Sequence, residues 1–204
     1  MSHPDEIWIW KKCSSKIRLL IDRNGFPNDP VLRFLGYELD TRNGSLVDTL
    51  TGKIVDSSNR SGKYTLNTIF YILSAYSDAE NPEPTGELIS SKQFRGTMFT
   101  KRDILGERFR IIREFGSKYE ELVLVAKKLG GNQTSFPYGD VAIRIDALPI
   151  VPITIVLSIG DKELSSDSRI FYDRSIEKIF DSEQTYFLTH LMVTRLVQSK
   201  KYLL

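Results

Sequence analysis

YGDVAIRIDALPIVPITIVLSIGD, residues 138–161, decides the fold. Val141, Ile143 and Ile145 alternate with Ala142, Arg144 and Asp146. A period of two puts the apolar set on one face of a strand and the other set opposite. Val151 to Ile159 is a nearly continuous β-branched run, which reads as a central strand buried on both faces. The connection through Leu148-Pro149-Ile150-Val151-Pro152 is short, so the two strands are expected to pair as antiparallel neighbours. Gly160-Asp161 ends the second strand.

Beyond this pair, Ile170-Phe171-Tyr172 reads as a short edge strand, followed by a helical turn or two over Arg174 to Phe180. Asp181 then caps a long helix. Gln184, three residues on, completes a capping box, and Phe187, Leu188, Leu191, Met192, Arg195 and Leu196 keep helical spacing to Ser199.

Before the pair, two helices are expected. One carries Ile104, Leu105, Phe109, Ile112 and Phe115 and is closed by Gly116. The next carries Tyr119, Leu122, Val123, Val125, Ala126 and Leu129 and is stopped by Gly130-Gly131. Residues 78–87 hold Pro82, Pro84 and Gly86, which exclude a regular element and predict a flexible surface loop. Tyr64 to Tyr76 reads as a helix. Val31–Asp40, Ser45–Asp48 and Lys53–Asp56 read as a meander of about three strands, with Asn43-Gly44 as a type I′ turn. The first twenty residues suggest a helix that docks Trp8 or Trp10 into the core. The expectation is one α+β domain over residues 1–204: an antiparallel sheet with helices on one face and a long C-terminal helix.

Composition bounds the function. The 204 residues carry a net charge of +2, with 26% charged and 11% aromatic residues, which supplies the bulk for a core. Cys13 is the one cysteine, so a disulfide within the chain and a cysteine-based metal cluster are excluded. With only His3 and His190 as histidines, no metal site and no resident cofactor is expected. No run nears a membrane span, no basic-then-apolar leader is present, and a cytoplasmic location follows.

Three candidate chemistries remain. Asp140 and Asp161 follow glycines at the start of one strand and the end of the next, which an antiparallel pairing brings to the same sheet end. Asp173 precedes a helical turn, and Arg95 lies in Phe94-Arg95-Gly96-Thr97. Carboxylates with an arginine are the material of a small-molecule site, though Gly-Asp is also ordinary turn chemistry and Asp before a helix an ordinary cap. Lys92 to Lys128 holds ten basic and five acidic residues. Lys101, Arg102, Arg108, Lys127 and Lys128 are candidates for contact with RNA or a ribosome, against the plain reading of a solvated helix face. No phosphate loop, dinucleotide fingerprint or nucleophile elbow occurs, which favours a non-catalytic accessory or binding protein, with a protein partner as one occupant.

Several short motifs stand in a consistent order. They are Pro84-Thr85-Gly86-Glu87-Leu88-Ile89-Ser90, Phe94-Arg95-Gly96, Phe115-Gly116, Leu129-Gly130-Gly131, Gly139-Asp140, Pro149-Ile150-Val151-Pro152, Gly160-Asp161 and Phe171-Tyr172-Asp173. From Tyr64 onward the chain resembles the prokaryotic family catalogued as domain of unknown function 3786. The resemblance implies no assigned activity. It marks Arg95, Asp140, Asp161 and Asp173 as the matching polar positions. Some relatives carry an attached cysteine-rich iron–sulfur domain, implying anaerobic redox or corrinoid-linked metabolism; with Cys13 alone, this chain departs from that pattern.

Overall fold

The computed structural model describes residues 8–80, 82–94, 99–160 and 165–203, and the backbone alone over 99–103. Helix α1, Trp10–Arg18, leads into a meander of β1 (Val31–Phe34), β2 (Tyr37–Asp40), β3 (Leu46–Asp48) and β4 (Lys53–Ile54), antiparallel in that order. The meander has four strands rather than about three. Leu35 and Gly36, at φ 47° and 71°, form a two-residue turn inside the run expected as one strand, and Phe34 pairs with Tyr37 across it. Asn43-Gly44 is not a type I′ turn. Of that pair only Gly44 has positive φ, and the Asn43 side chain accepts the Ser45 N–H instead. The N-terminal aromatic residues dock inward: Trp8 packs on Tyr71 and Trp10 on Phe70.

Helix α2 (Arg60–Ser77) is followed by β5 (Leu88–Ser90), α3 (Phe99–Phe115), α4 (Tyr119–Lys128), β6 (Asn132–Thr134), β7 (Val141–Leu148), β8 (Val151–Ser158), β9 (Asp167–Asp173) and α5 (Ser182–Ser199). A 3-10 turn over Lys200–Tyr202 extends α5. Gly130 at φ 81° ends α4: its N–H bonds to the Lys127 carbonyl and that of Gly131 to Ala126, the Schellman pattern. Asp181 and Gln184 form the expected capping box.

The second sheet is antiparallel in the order β5-β9-β8-β7-β6, so β8 is central and buried on both faces. β9 is an interior strand, not an edge; its neighbour β5 is the edge and buries only Ile89. The inward row of Val141, Ile143, Ile145, Ile153, Ile155, Leu157, Ile170 and Tyr172 is buried. α3 packs against β9, α4 against β6 and β7, and α5 against α2, α3 and α4. One cluster of buried side chains takes in residues of both sheets and all five helices. Among the described residues no helix is long and apolar enough to cross a membrane.

Candidate functional site

Of the carboxylates singled out from sequence, Asp140 and Asp173 stand apart in space. Arg95 and Asp161 lie outside the described residues, and of Lys101 and Arg102 only the helical backbone is described. The Asp140 N–H bonds to the Leu157 carbonyl, and its carboxylate accepts the Ile159 N–H at 2.7 Å, which closes the open end of the β7–β8 pair. Asp173 stands at the far end of the sheet. Asp140 is one step beyond the Val141–Leu157 pair and Asp173 one step beyond the Tyr172–Ile153 pair, about 20 Å apart along the strands.

Asp173 is a fastener. It accepts from Ser175 N at 2.8 Å, Gly86 N at 2.7 Å, and Thr85 N and Oγ1 at 3.0 and 2.9 Å. Arg174 adds an ion pair to Glu87. Together they tie the end of the 78–87 loop to β9. Burial pushes the Asp173 carboxyl up, but these donors outweigh it and hold it at about 2.

The basic residues divide. Lys127 and Lys128 are exposed at the C-terminus of α4, where they complement the helix dipole. Arg108 instead turns to β9: its Nε donates to the Ser168 carbonyl and its Nη2 to Asp167 Oδ1 at 2.7 Å. α3 packs against β9 and α4 against β6 and β7, towards opposite edges of the sheet, so Arg108 and the Lys127–Lys128 pair form no single basic stripe.

Arg108 opens onto a cleft of about 520 Å³, within the range of small-molecule sites. The alternation of β9 builds its floor. Ser168 and Ile170 face the core, while Asp167, Arg169 and Phe171 face the side that carries no helix. Asp167 holds two arginines, Arg108 on Oδ1 and Arg169 on Oδ2 at 3.3 Å. Burial pushes its carboxyl up, yet the two guanidiniums keep it below the ordinary value. Tyr138 and Asp167 in turn raise the pKa of Arg169, which keeps it charged.

The β6–β7 loop supplies the aromatic wall. Phe136 lies 5.0 Å from Phe171 and 4.9 Å from Tyr138, and the Arg169 guanidinium sits 5.2 Å over the Tyr138 ring. Gly139 lets the loop descend onto the sheet: its φ is 81°, and a Cβ there would lie 2.5 Å from Val156. Ser90, Ser91 and Lys92 close the β5 side, and Leu105 completes the rim.

A second polar cluster joins α3 to α5. The buried Glu107 bonds His190 Nδ1 at 2.7 Å and approaches Arg110 at 3.5 Å, with Tyr64 edge-on to the imidazole. Among the described residues no group of three or more His, Cys, Asp or Glu could hold a metal ion.

Sequence reasoning flagged Arg108 for a different purpose and missed Asp167, Arg169, Tyr138 and Phe171. The signal was the Asp-Ser-Arg-Ile-Phe-Tyr alternation of β9, which places a charge pair and an aromatic ring on one face.

The chain belongs to the family described as Domain of unknown function (DUF3786), which matches residues 41–195. No curated protein and no solved structure matches it.

Proposed function

We propose that this member of the family is a non-catalytic binding protein whose ligand, a small molecule carrying an anionic group beside a flat ring, occupies the cleft along β9. The observation that carries the reading is Asp167 gripping Arg108 and Arg169 at an aromatic-walled opening. Guanidiniums fixed before the ligand arrives lose little side-chain entropy on binding. Lys92, Arg108 and Arg169 against Asp167 leave the cleft cationic.

Binding rather than turnover follows from the lining. Among its described residues there is no histidine, and the nearby carboxylate is held below its ordinary pKa by two arginines, so neither of the commonest proton carriers is poised there. A carboxylate site built from Arg95, Asp140, Asp161 and Asp173 has less support, because Asp140 and Asp173 stand at opposite sheet ends. An RNA or ribosome contact has less support because the cations are divided. The buried free thiol of Cys13 fits an accessory role in the cytoplasm.

The test is an NMR screen of aromatic carboxylates and phosphates against the full chain. Shifts centred on Tyr138, Arg169 and Ile170, absent in Arg169→Gln, are expected. Shifts centred elsewhere refute the site. Turnover of a bound compound, lost in Arg169→Gln, makes the protein an enzyme instead.

A further inference from the structure

Resting on that reading, we infer that the anionic group is a phosphate monoester on a ring compound of mononucleotide size, not a carboxylate. The donors still open decide this. An arginine fork engages carboxylate and phosphate alike through two parallel N–H groups, so the donors beyond one fork discriminate between them. On Arg108, Nε is committed to the Ser168 carbonyl and Nη2 to Asp167, so its Nε–Nη2 edge is already used. Arg169 has likewise committed Nε to Asp167. What remains is a set of donors from several residues, the Nη pair of Arg169, Nη1 of Arg108, Nζ of Lys92 and the hydroxyl of Ser91, more than the two oxygens of a carboxylate engage. Such a set suits a tetrahedral group with three acceptor oxygens.

Charge points the same way. Among the described residues three cations face one carboxylate, an excess that a carboxylate ligand neutralises only by half. A phosphate monoester carries about −1.5 to −2 at pH 7. The ring has its place beside the anion. Tyr138 is 43% exposed and Leu105 39% exposed at the rim, flat and apolar surfaces next to the guanidiniums. Arg108 and Arg169 meet at the single carboxylate of Asp167 rather than lying along a groove, as one phosphate requires and a nucleic-acid backbone does not.

The experiment is titration calorimetry of the full chain with phenyl phosphate, benzoate, adenosine 5′-monophosphate, adenosine and a 5′-phosphorylated dinucleotide. Phenyl phosphate is expected to bind at least tenfold tighter than benzoate, and the monophosphate at least tenfold tighter than adenosine. The phosphate preference should grow from pH 5 to pH 7, as the second ionisation near pH 6 completes. Arg169→Gln, at a largely exposed side chain, keeps the fold and should erase the preference; Arg108→Gln is the second variant. If benzoate binds as tightly as phenyl phosphate and Arg169→Gln weakens both, the phosphate assignment is overturned while the anionic-ring reading stands. If no probe binds, both are overturned. A dinucleotide as tight as the monophosphate supports the assignment and names a strand end as the source.

Discussion

Asp48→Ala tests what joins the meander to the rest of the molecule. Arg195, on α5, is fully buried. Its guanidinium donates to Asp48 Oδ1 at 2.6 Å and Oδ2 at 3.1 Å, to the carbonyls of Leu35 and Gly36 at 3.0 Å, and to Gln198 at 3.0 Å. It lies 4.0 Å from the centre of the Tyr37 ring. Removing one partner of a buried pair costs about 3–5 kcal/mol, because the other charge stays buried and uncompensated. The Asp48 side chain is 18% exposed and three other acceptors remain, so the low end applies, about 3 kcal/mol. Arg195→Met removes the charge itself and leaves the Leu35 carbonyl without its donor, at about 1 kcal/mol, while the Gly36 carbonyl still accepts from Thr49 N and Oγ1. The double variant should therefore be no less stable than Asp48→Ala alone. Urea unfolding followed by tryptophan fluorescence and far-ultraviolet dichroism reads this. For Asp48→Ala the midpoint should fall by about 1–1.5 M. A loss below about 1 kcal/mol, or a double variant whose cost is the sum of the single ones, refutes the reasoning.

Gly44→Ala and Gly52→Ala separate backbone strain from collision. Both glycines have positive φ, but a Cβ at Gly44 would lie 2.3 Å from the Trp10 ring, whereas nothing lies within 4 Å at Gly52. Gly52→Ala should cost about 1 kcal/mol and Gly44→Ala at least twice that, with a change in tryptophan emission; equal losses would show that the ring moves aside freely. Asp173→Asn should destabilise by about 2 kcal/mol at neutral pH, since the folded carboxyl is held at about 2 against about 3.9 unfolded. A lowered folded pKa stabilises above the unfolded value, so the gap between wild type and variant should be constant above about pH 5 and close as pH falls towards 2. A gap undiminished at pH 2 would count against the carboxylate as the fastener.

The parts of the fold legible in sequence are those where one period runs long enough to be read. β7 and β8 alternate or stay apolar over eight residues each, and α5 announces itself with Asp181, Gln184 and an apolar stripe. Where an element is short, the period has no room. β5 and β6 have three residues each and are strands only because β9 and β7 supply hydrogen-bond partners. The turn at Leu35-Gly36 was hidden for another reason. An apolar residue at φ 47° is disfavoured locally, and the conformation is held from outside, by the buried Leu35 side chain and by Arg195 donating to both carbonyls. That is a contact 160 residues away in sequence, and no local pattern encodes it.

The candidate site was less legible, because local patterns favour residues that serve the backbone. Asp140 and Asp173 drew notice beside Gly139 and ahead of a helical turn, contexts in which a carboxylate accepts backbone N–H groups, and both do so here. The cleft draws single residues from separate elements: Arg108 from α3, Tyr138 from a loop, Arg169 and Phe171 from β9. Their meeting depends on strand order, and a three-residue apolar core, Ile170-Phe171-Tyr172, reads as an edge strand when β5 is invisible. Once β9 is known to be interior, its outward row becomes the informative one. Phe171 on the face without helices is buried there with Ala142, Val156 and Phe136, whereas the exposed Arg169 is not needed to fill any core and is oriented by Asp167. That ordering of a charge at a surface opening is what separates the cleft from a merely solvated face.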